Sequence, residues 1–266
     1  MNDIEIENLA EYVLSTYRLK VPVDLEYICS EEGILVAPGQ YSSSFHGRIE
    51  FLPDHNVFVI YYQEPTHDQY PGRVRFSLSH ELGHYFIEEH RRIIQEQRIH
   101  NSIGPFRSVG DRIENEADKF ASALLIPAIA VEKAVANRGF LDLASILALA
   151  DQCEASAQAT AFRYVRLAEE PCLAIVSRQG KVLYSFSSDE ADVQGFKWLG
   201  NRDVPEKSVT AKCAKSEMAG ILSDNSHTVD WFSERRAAAK LWEETVLLGK
   251  SGYVLTLLTW SDYKPD

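Results

Sequence analysis

One helix-forming segment constrains this chain of 266 residues more than any other. It reads FSLSHELGHYFIEEH over residues 76–90, and between residues 73 and 92 only Gly83 carries a mild helix penalty. Residues four apart on a helix lie on one face, about one turn from each other. The imidazoles of His80 and His84 can therefore converge on one metal ion.

Glu81 is offset by one position from His80, so its carboxylate can reach a water on that ion without ligating the ion. A hydrolytic zinc site needs two neutral nitrogens from one rigid element, an open coordination position and a carboxylate base. A structural zinc would need four protein ligands and no base. The motif therefore predicts a catalytic metal, and two hydrogen-bonded core histidines are the alternative interpretation.

A third ligand has to come from elsewhere, and His90 is the first candidate. It would complete the pattern H-E-x-x-H-x-x-G-x-x-H, but Ile87 stands where that pattern has glycine. A β-branched residue does not readily take a positive φ and should continue the helix. On a continuing helix His90 points about 120° away from His84, so we interpret His90 as a solvated helix end.

The second candidate lies in RIENEADKFASALLIP, which begins at Arg112 and is predicted to be helical. Glu114 and Asp118 share one face of that helix. In thermolysin-like enzymes a glutamate from a later helix is the third ligand, and an aspartate four residues on orients a ligating histidine. We therefore expect these roles for Glu114 and Asp118, with a solvated helix face as the alternative. Glu116 is turned about 200° from Glu114 and is expected on the outer face.

The periodicity changes along the chain. Up to residue 170 it is mostly helical, with three predicted strands at residues 34–37, 45–52 and 57–62. Residues 93–110 show no clear periodicity and are interpreted as a long loop. Later residues favour strands, in one hairpin around RQG and another around GKSG, with a possible helix behind Ser208. The sequence predicts an α+β fold with a mostly helical domain at 1–170 and a smaller strand-rich domain at 171–266.

Composition argues against several classes of function. The formal charge of −12, with scattered Lys and Arg, disfavours direct binding of nucleic acid. The four cysteines form no C-x-x-C pair, so neither a zinc ribbon nor a disulfide framework is indicated. No stretch approaches the roughly 18 apolar residues of a membrane span, and the acidic start is unlike a secretory signal. We expect a cytoplasmic protein with no membrane partner.

RVRFSLSHELGHYFIEEH followed by RIENEADKFASALLIP resembles the ImmA/IrrE family of metallo-endopeptidases. The resemblance covers roughly residues 4–168 and implies a zincin-like fold for this part, with a small β-sheet. It implies that His80, His84 and Glu114 hold the ion and that Glu81 is the catalytic base. The family often has asparagine where this chain has Asp118.

The resemblance also implies a substrate. Family members with characterised roles cleave helix-turn-helix repressors and so induce mobile-element or stress genes. Zinc is the expected cofactor, with manganese possible, and residues 171–266 are expected to be regulatory or to bind substrate. Candidates for stabilising the oxyanion are Tyr85, Arg163 and Tyr164.

Two other functions stay open at this stage. The chain could be a regulatory binding protein that keeps a structural metal site and sequesters its partner. It could also bind DNA through residues 141–168, whose helical pair looks like a helix-turn-helix. The presence of Glu81 favours the peptidase, because a purely binding role has no need of a base.

Overall fold

The computed structural model describes residues 1–41, 47–64, 71–102, 112–136, 142–196, 200–216, 220–232, 239–249 and 251–260. The fold is α+β, which confirms the predicted class. The chain forms two compact units, Met1–Ala130 with Asp151–Ser156 and Val131–Ala150 with Ala157–Asp266. The domain boundary near residue 170 stays a prediction.

The first unit combines helices with a four-stranded sheet. Its helices are α1 (Asp3–Thr16), α2 (Leu25–Glu31), α3 (Pro71–Phe86), α4 (Glu88–Gln97) and α5 (Arg112–Leu125), and its strands are β1 (Leu35–Gly39), β2 (Gly47–Leu52), β3 (Val57–Gln63) and β4 (Ile99–Ser102). A capping box between Asn2 and Glu5 begins α1, because each side chain accepts from the backbone N–H of the other. Asp24 caps α2 by accepting from the N–H of Tyr27. Local capping therefore sets where these two helices begin.

The sheet of the first unit has the order β1-β3-β2-β4. β1 runs parallel to β3, and the other two pairs are antiparallel. The turn PDHN joins β2 to β3, with Asn56 in the left-handed region at φ 50°. The three predicted strands are confirmed within the described residues. Residues 42–46, which include the predicted start of the second strand, lie outside them.

Two expectations for the segment after the histidine motif were wrong. The helix does not continue through Ile87, which takes an extended conformation with φ −74° and ψ 109°, and α4 then begins. A β-branched residue needs no positive φ to leave a helix, because the extended region is open to it. Residues 93–102 of the predicted loop are instead the end of α4 followed by β4, which pairs with β2. Residues 103–110 of that loop lie outside the described residues.

The chain continues into a second unit that is built around a larger sheet. Its elements, with the helices that lead into it, are α6 (Ala128–Ala136), α7 (Leu143–Cys153), α8 (Ala157–Leu167), β5 (Cys172–Arg178), β6 (Lys181–Ser187), α9 (Asp189–Val193), α10 (Val209–Lys215), β7 (Leu222–His227), α11 (Thr228–Trp231), β8 (Lys240–Leu248) and β9 (Tyr253–Trp260). The strand order is β6-β5-β9-β8-β7, and every pair is antiparallel. Both predicted hairpins are confirmed, and Ser208 caps α10. β7, α9 and α11 were not predicted.

Helices α3 and α5 come close together at the glycine of the histidine motif. A Cβ at Gly83 would lie 3.1 Å from Cα and 3.2 Å from the carbonyl oxygen of Ala117. Ala117 and Ala121 are fully buried, so small residues line the α5 side of the contact. The glycine therefore lets the backbones of the two helices come together.

We expect Gly83→Ala to lower the free energy of unfolding by about 1–3 kcal/mol, because the added methyl group has to push backbone away. Helix propensity alone favours alanine over glycine and would raise the free energy of unfolding by up to about 1 kcal/mol. Denaturant unfolding measures the change, and Ser77→Ala, at an exposed hydroxyl on the same helix, is the control. A more stable Gly83→Ala variant would contradict the tight contact.

Candidate metal centre

One turn of α3 brings two imidazoles together in the interior of the first unit. The Nε2 atoms of His80 and His84 are 3.0 Å apart. His84 is fully buried and His80 is 6% exposed. Both rings therefore point the same nitrogen to one place, as their spacing of four residues predicts.

α5 supplies a carboxylate at the same place. Glu114 Oε2 lies 3.4 Å from His80 Nε2, and Glu114 Oε1 lies 3.3 Å from His84 Nε2. Ligands bound tetrahedrally at about 2.0–2.1 Å are about 3.3 Å from one another. The three side chains form a cluster that could hold a metal ion, and these contact distances are close to those between the ligands of one tetrahedral cation.

Asp118 contacts the other ring nitrogen of His80, at 2.8 Å from Nδ1 to Oδ1. This contact leaves Nε2 of His80 for a metal ion and fixes the orientation of the ring. Burial by itself would lower the pKa of His80, but the hydrogen bonds to Asp118 and Glu114 raise the pKa to about 10. A metal ion that binds here has to displace the proton from this ring.

The pKa values of His84 and Glu114 are lowered, in contrast to that of His80. Burial lowers the pKa of His84 to about 3, so this ring is neutral and ready to act as a ligand. Burial alone would raise the pKa of Glu114, but its contacts with His100, His80 and His84 hold the pKa well below the usual range. The site thus presents an ionised carboxylate and a neutral imidazole near neutral pH.

Glu81 is fully buried and lies against the backbone of β2. A Cβ at Gly47 would overlap Oε1 of Glu81 and would lie 3.0 Å from its Cδ and Cγ atoms. A side chain at position 47 would therefore displace the carboxylate of Glu81. The strand leaves room for this carboxylate next to the two histidines.

Part of this chain is similar to a known protein family. Residues 59–164 match the Peptidase_M78 family model, which is described as the IrrE N-terminal-like domain. The chain contains an IrrE-like peptidase domain. This result confirms the family that the sequence predicts, and peptidases of this family are metal-dependent.

Among solved structures, a Mycobacterium tuberculosis transcriptional regulator shares the fold of the chain with a TM-score of 0.63. The sequences are 14% identical, and the similarity covers 97% of this chain and 76% of that one. At this identity the likeness shows the fold alone. The search of curated proteins found no match. In the described part of the chain, every helix is too short or too polar for a bilayer crossing.

The IrrE-like domain buries two residues that were expected at the surface. His90 is 1% exposed and Glu116 is 3% exposed, and His90 Nε2 lies 3.1 Å from Glu116 Oε2. Both expectations were wrong. The chain turns at Ile87 before α4 begins, and α5 packs against α1 as well as α3, so α5 has two buried faces. Among the described residues, the cluster of possible metal ligands does not include His90.

The candidate oxyanion donors have other partners. The hydroxyl of Tyr85 donates to Glu32 Oε2 at 2.8 Å, and the hydroxyl of Tyr164 donates to Glu170. Arg163 is buried within the second unit. None of these contacts involves the three clustered side chains.

Sequence reasoning missed one polar residue at the site, His100. Its Nε2 atom lies 2.7 Å from Glu114 Oε1, and the centre of its ring lies 4.3 Å from that of His84. It belongs to the segment that was interpreted as a loop. The sequence contains one signal for this strand: the polar His100 follows the apolar Ile99, and alternating polarity is typical of a short strand.

We expect Asp118→Ala to weaken zinc binding by about 10- to 100-fold, because His80 loses the acceptor that orients its ring. Asp118→Asn keeps a carbonyl oxygen and should retain most of the affinity. Competition with a chromophoric chelator measures both variants, and Lys119→Ala is the control, since Lys119 pairs with Asp3 at the surface. Unchanged affinity in Asp118→Ala would rule out this orienting contact.

Proposed function

We propose that this chain is a metal-dependent endopeptidase in which His80, His84 and Glu114 hold the ion and Glu81 is the base. The observation that carries the proposal is a cluster of three side chains, in which each pair has donor atoms within 3.0–3.4 Å of each other. A buried carboxylate stands on the same helix, next to the first histidine. Membership of the segment in a peptidase family supports the same reaction.

A bound metal ion would activate both the attacking water and the peptide carbonyl. A divalent cation in this site would lower the pKa of its bound water to about 7 and polarise the scissile carbonyl. Two imidazoles and one carboxylate suit zinc, and the Irving–Williams order places manganese lower in affinity. We propose zinc, with manganese as the second choice.

Glu81 handles the proton of the reaction. Its carboxylate takes a proton from the attacking water as the oxygen forms its bond to the carbonyl carbon. It then delivers that proton to the amine nitrogen as the C–N bond breaks, so the carboxylate ends as it began. Burial of Glu81 beneath β2 keeps the proton from exchanging with bulk water during the transfer.

The proposed substrate is a helix-turn-helix repressor, which places the reaction in the cytoplasm. The support is the resemblance to ImmA/IrrE peptidases, whose characterised members cleave such repressors. Cleavage would allow transcription of the genes that the repressor controls, such as stress or mobile-element genes. We propose that residues 171–266 serve regulation or substrate binding.

We expect Glu81→Gln to bind zinc normally and to cleave at least about 100-fold more slowly, because the amide cannot accept the proton of water. Zinc content is measured by mass spectrometry, and cleavage is followed on gels with the repressor encoded nearest the gene. Glu96→Gln, at an exposed glutamate on α4, is the control. Undiminished cleavage by Glu81→Gln would end the proposed mechanism. Stable binding of the repressor without cleavage by the wild type would favour sequestration.

Gly47→Ala should also slow cleavage while the zinc content stays normal, because the new methyl group displaces the carboxylate of Glu81 but not the ligands. We expect a loss of at least about 10-fold, as even small misplacement of a base is costly. Arg48→Ala is the control, since the Arg48 side chain lies on the opposite face of the strand and pairs with Glu50. Full activity in Gly47→Ala would mean that the clearance at β2 is unimportant.

A further inference from the structure

His100 reaches the candidate metal centre from β4, and its ring also lies close to that of His84. Its ring is partly buried, with a quarter of the side chain exposed, and Nε2 lies 2.7 Å from Glu114 Oε1. An ionised carboxylate can only accept hydrogen bonds, so Nε2 of His100 is the donor. A contact of this length between a ring N–H and a carboxylate is in the strong, charge-assisted range.

The register of the sheet places His100 there. His100 pairs with Ile49 in β2, and Ser102 pairs with Gly47. Cross-strand partners share one face of a sheet, and residues two apart in a strand share it too. Gly47, Ile49 and His100 therefore lie on the face that covers Glu81. A slip of one residue would replace the imidazole by Ile99 or Asn101.

Glu114 benefits from such a partner more than the two histidines do. Both histidines stand on α3 and are buried, whereas the Glu114 side chain is 20% exposed and lies in the first turn of α5. Fixing the several rotatable bonds of a glutamate side chain costs conformational entropy. A hydrogen bond that already holds the carboxylate in place removes part of this cost from metal binding.

We infer that His100 is a positioning residue of the metal centre, which donates from Nε2 to Glu114 and holds that carboxylate in its ligating orientation. It does for Glu114 what Asp118 does for His80. The inference rests on the proposed metal site and adds a residue to it. The affinity for the ion thus depends on the pairing of β4 with β2.

The test measures zinc affinity by chelator competition on the full chain. His100→Ala should bind zinc about 10- to 100-fold more weakly than the wild type, because the outer partner of a ligand is lost. His100→Gln places an amide nitrogen at a similar reach along the side chain and should recover most of the affinity. His55→Ala, at an exposed histidine in the β2–β3 turn, should bind zinc like the wild type. Thermal unfolding of the metal-free variants shows whether each remains folded.

Two results would overturn the inference. Equal zinc affinity in His100→Ala and the wild type would mean that the hydrogen bond does not position Glu114. Binding by His100→Gln as weak as that of a folded His100→Ala would mean that the imidazole acts in some other way, such as direct ligation. Both results leave the proposed function in place. Failure of the wild type to bind zinc or manganese would remove the proposed function and the inference together.

Discussion

The close approach of α3 and α5 is the contact on which the candidate site depends. Gly83 lies directly against the backbone of Ala117, immediately before His84 and three residues after His80 on α3. Three residues before Ala117, Glu114 projects from the same helix towards the imidazoles. Because the two backbones are so close, a glutamate side chain spans the remaining gap. A larger residue at either position would separate the ligands.

The strands β2 and β4 contribute further residues around the candidate metal site. Gly47 leaves room for the carboxylate of Glu81, and His100 contacts Glu114 from the neighbouring strand. The carboxylates of Glu81, Glu114 and Asp118 thus surround two largely buried imidazoles. Burying several negative charges is costly unless they are paired or bind a cation. A divalent cation compensates two of these charges at once, which gives a physical reason for the arrangement.

The incorrect expectations for His90 and Glu116 came from treating each helix as regular and as packed on one side only. An unbroken helix through Ile87 would have turned His90 outwards, but the chain takes an extended residue there and buries His90 against Glu116. A helix packed on one side would have exposed Glu116, but α5 packs against two helices. Burial of Ile87 and the pairing of β4 with β2 are long-range contacts. Periodicity within a short window carries no information about them.

The sequence by itself determined the helix that carries the histidine motif, the four-residue spacings of His80 with His84 and of Glu114 with Asp118, and the peptidase family. These features follow from the pitch of a single helix and from motifs of adjacent residues. Only the tertiary structure decided that Gly47 faces Glu81 and that His100 contacts Glu114. Both depend on the register between strands and on the packing of a sheet against a helix, and these are set by side chains far apart along the chain.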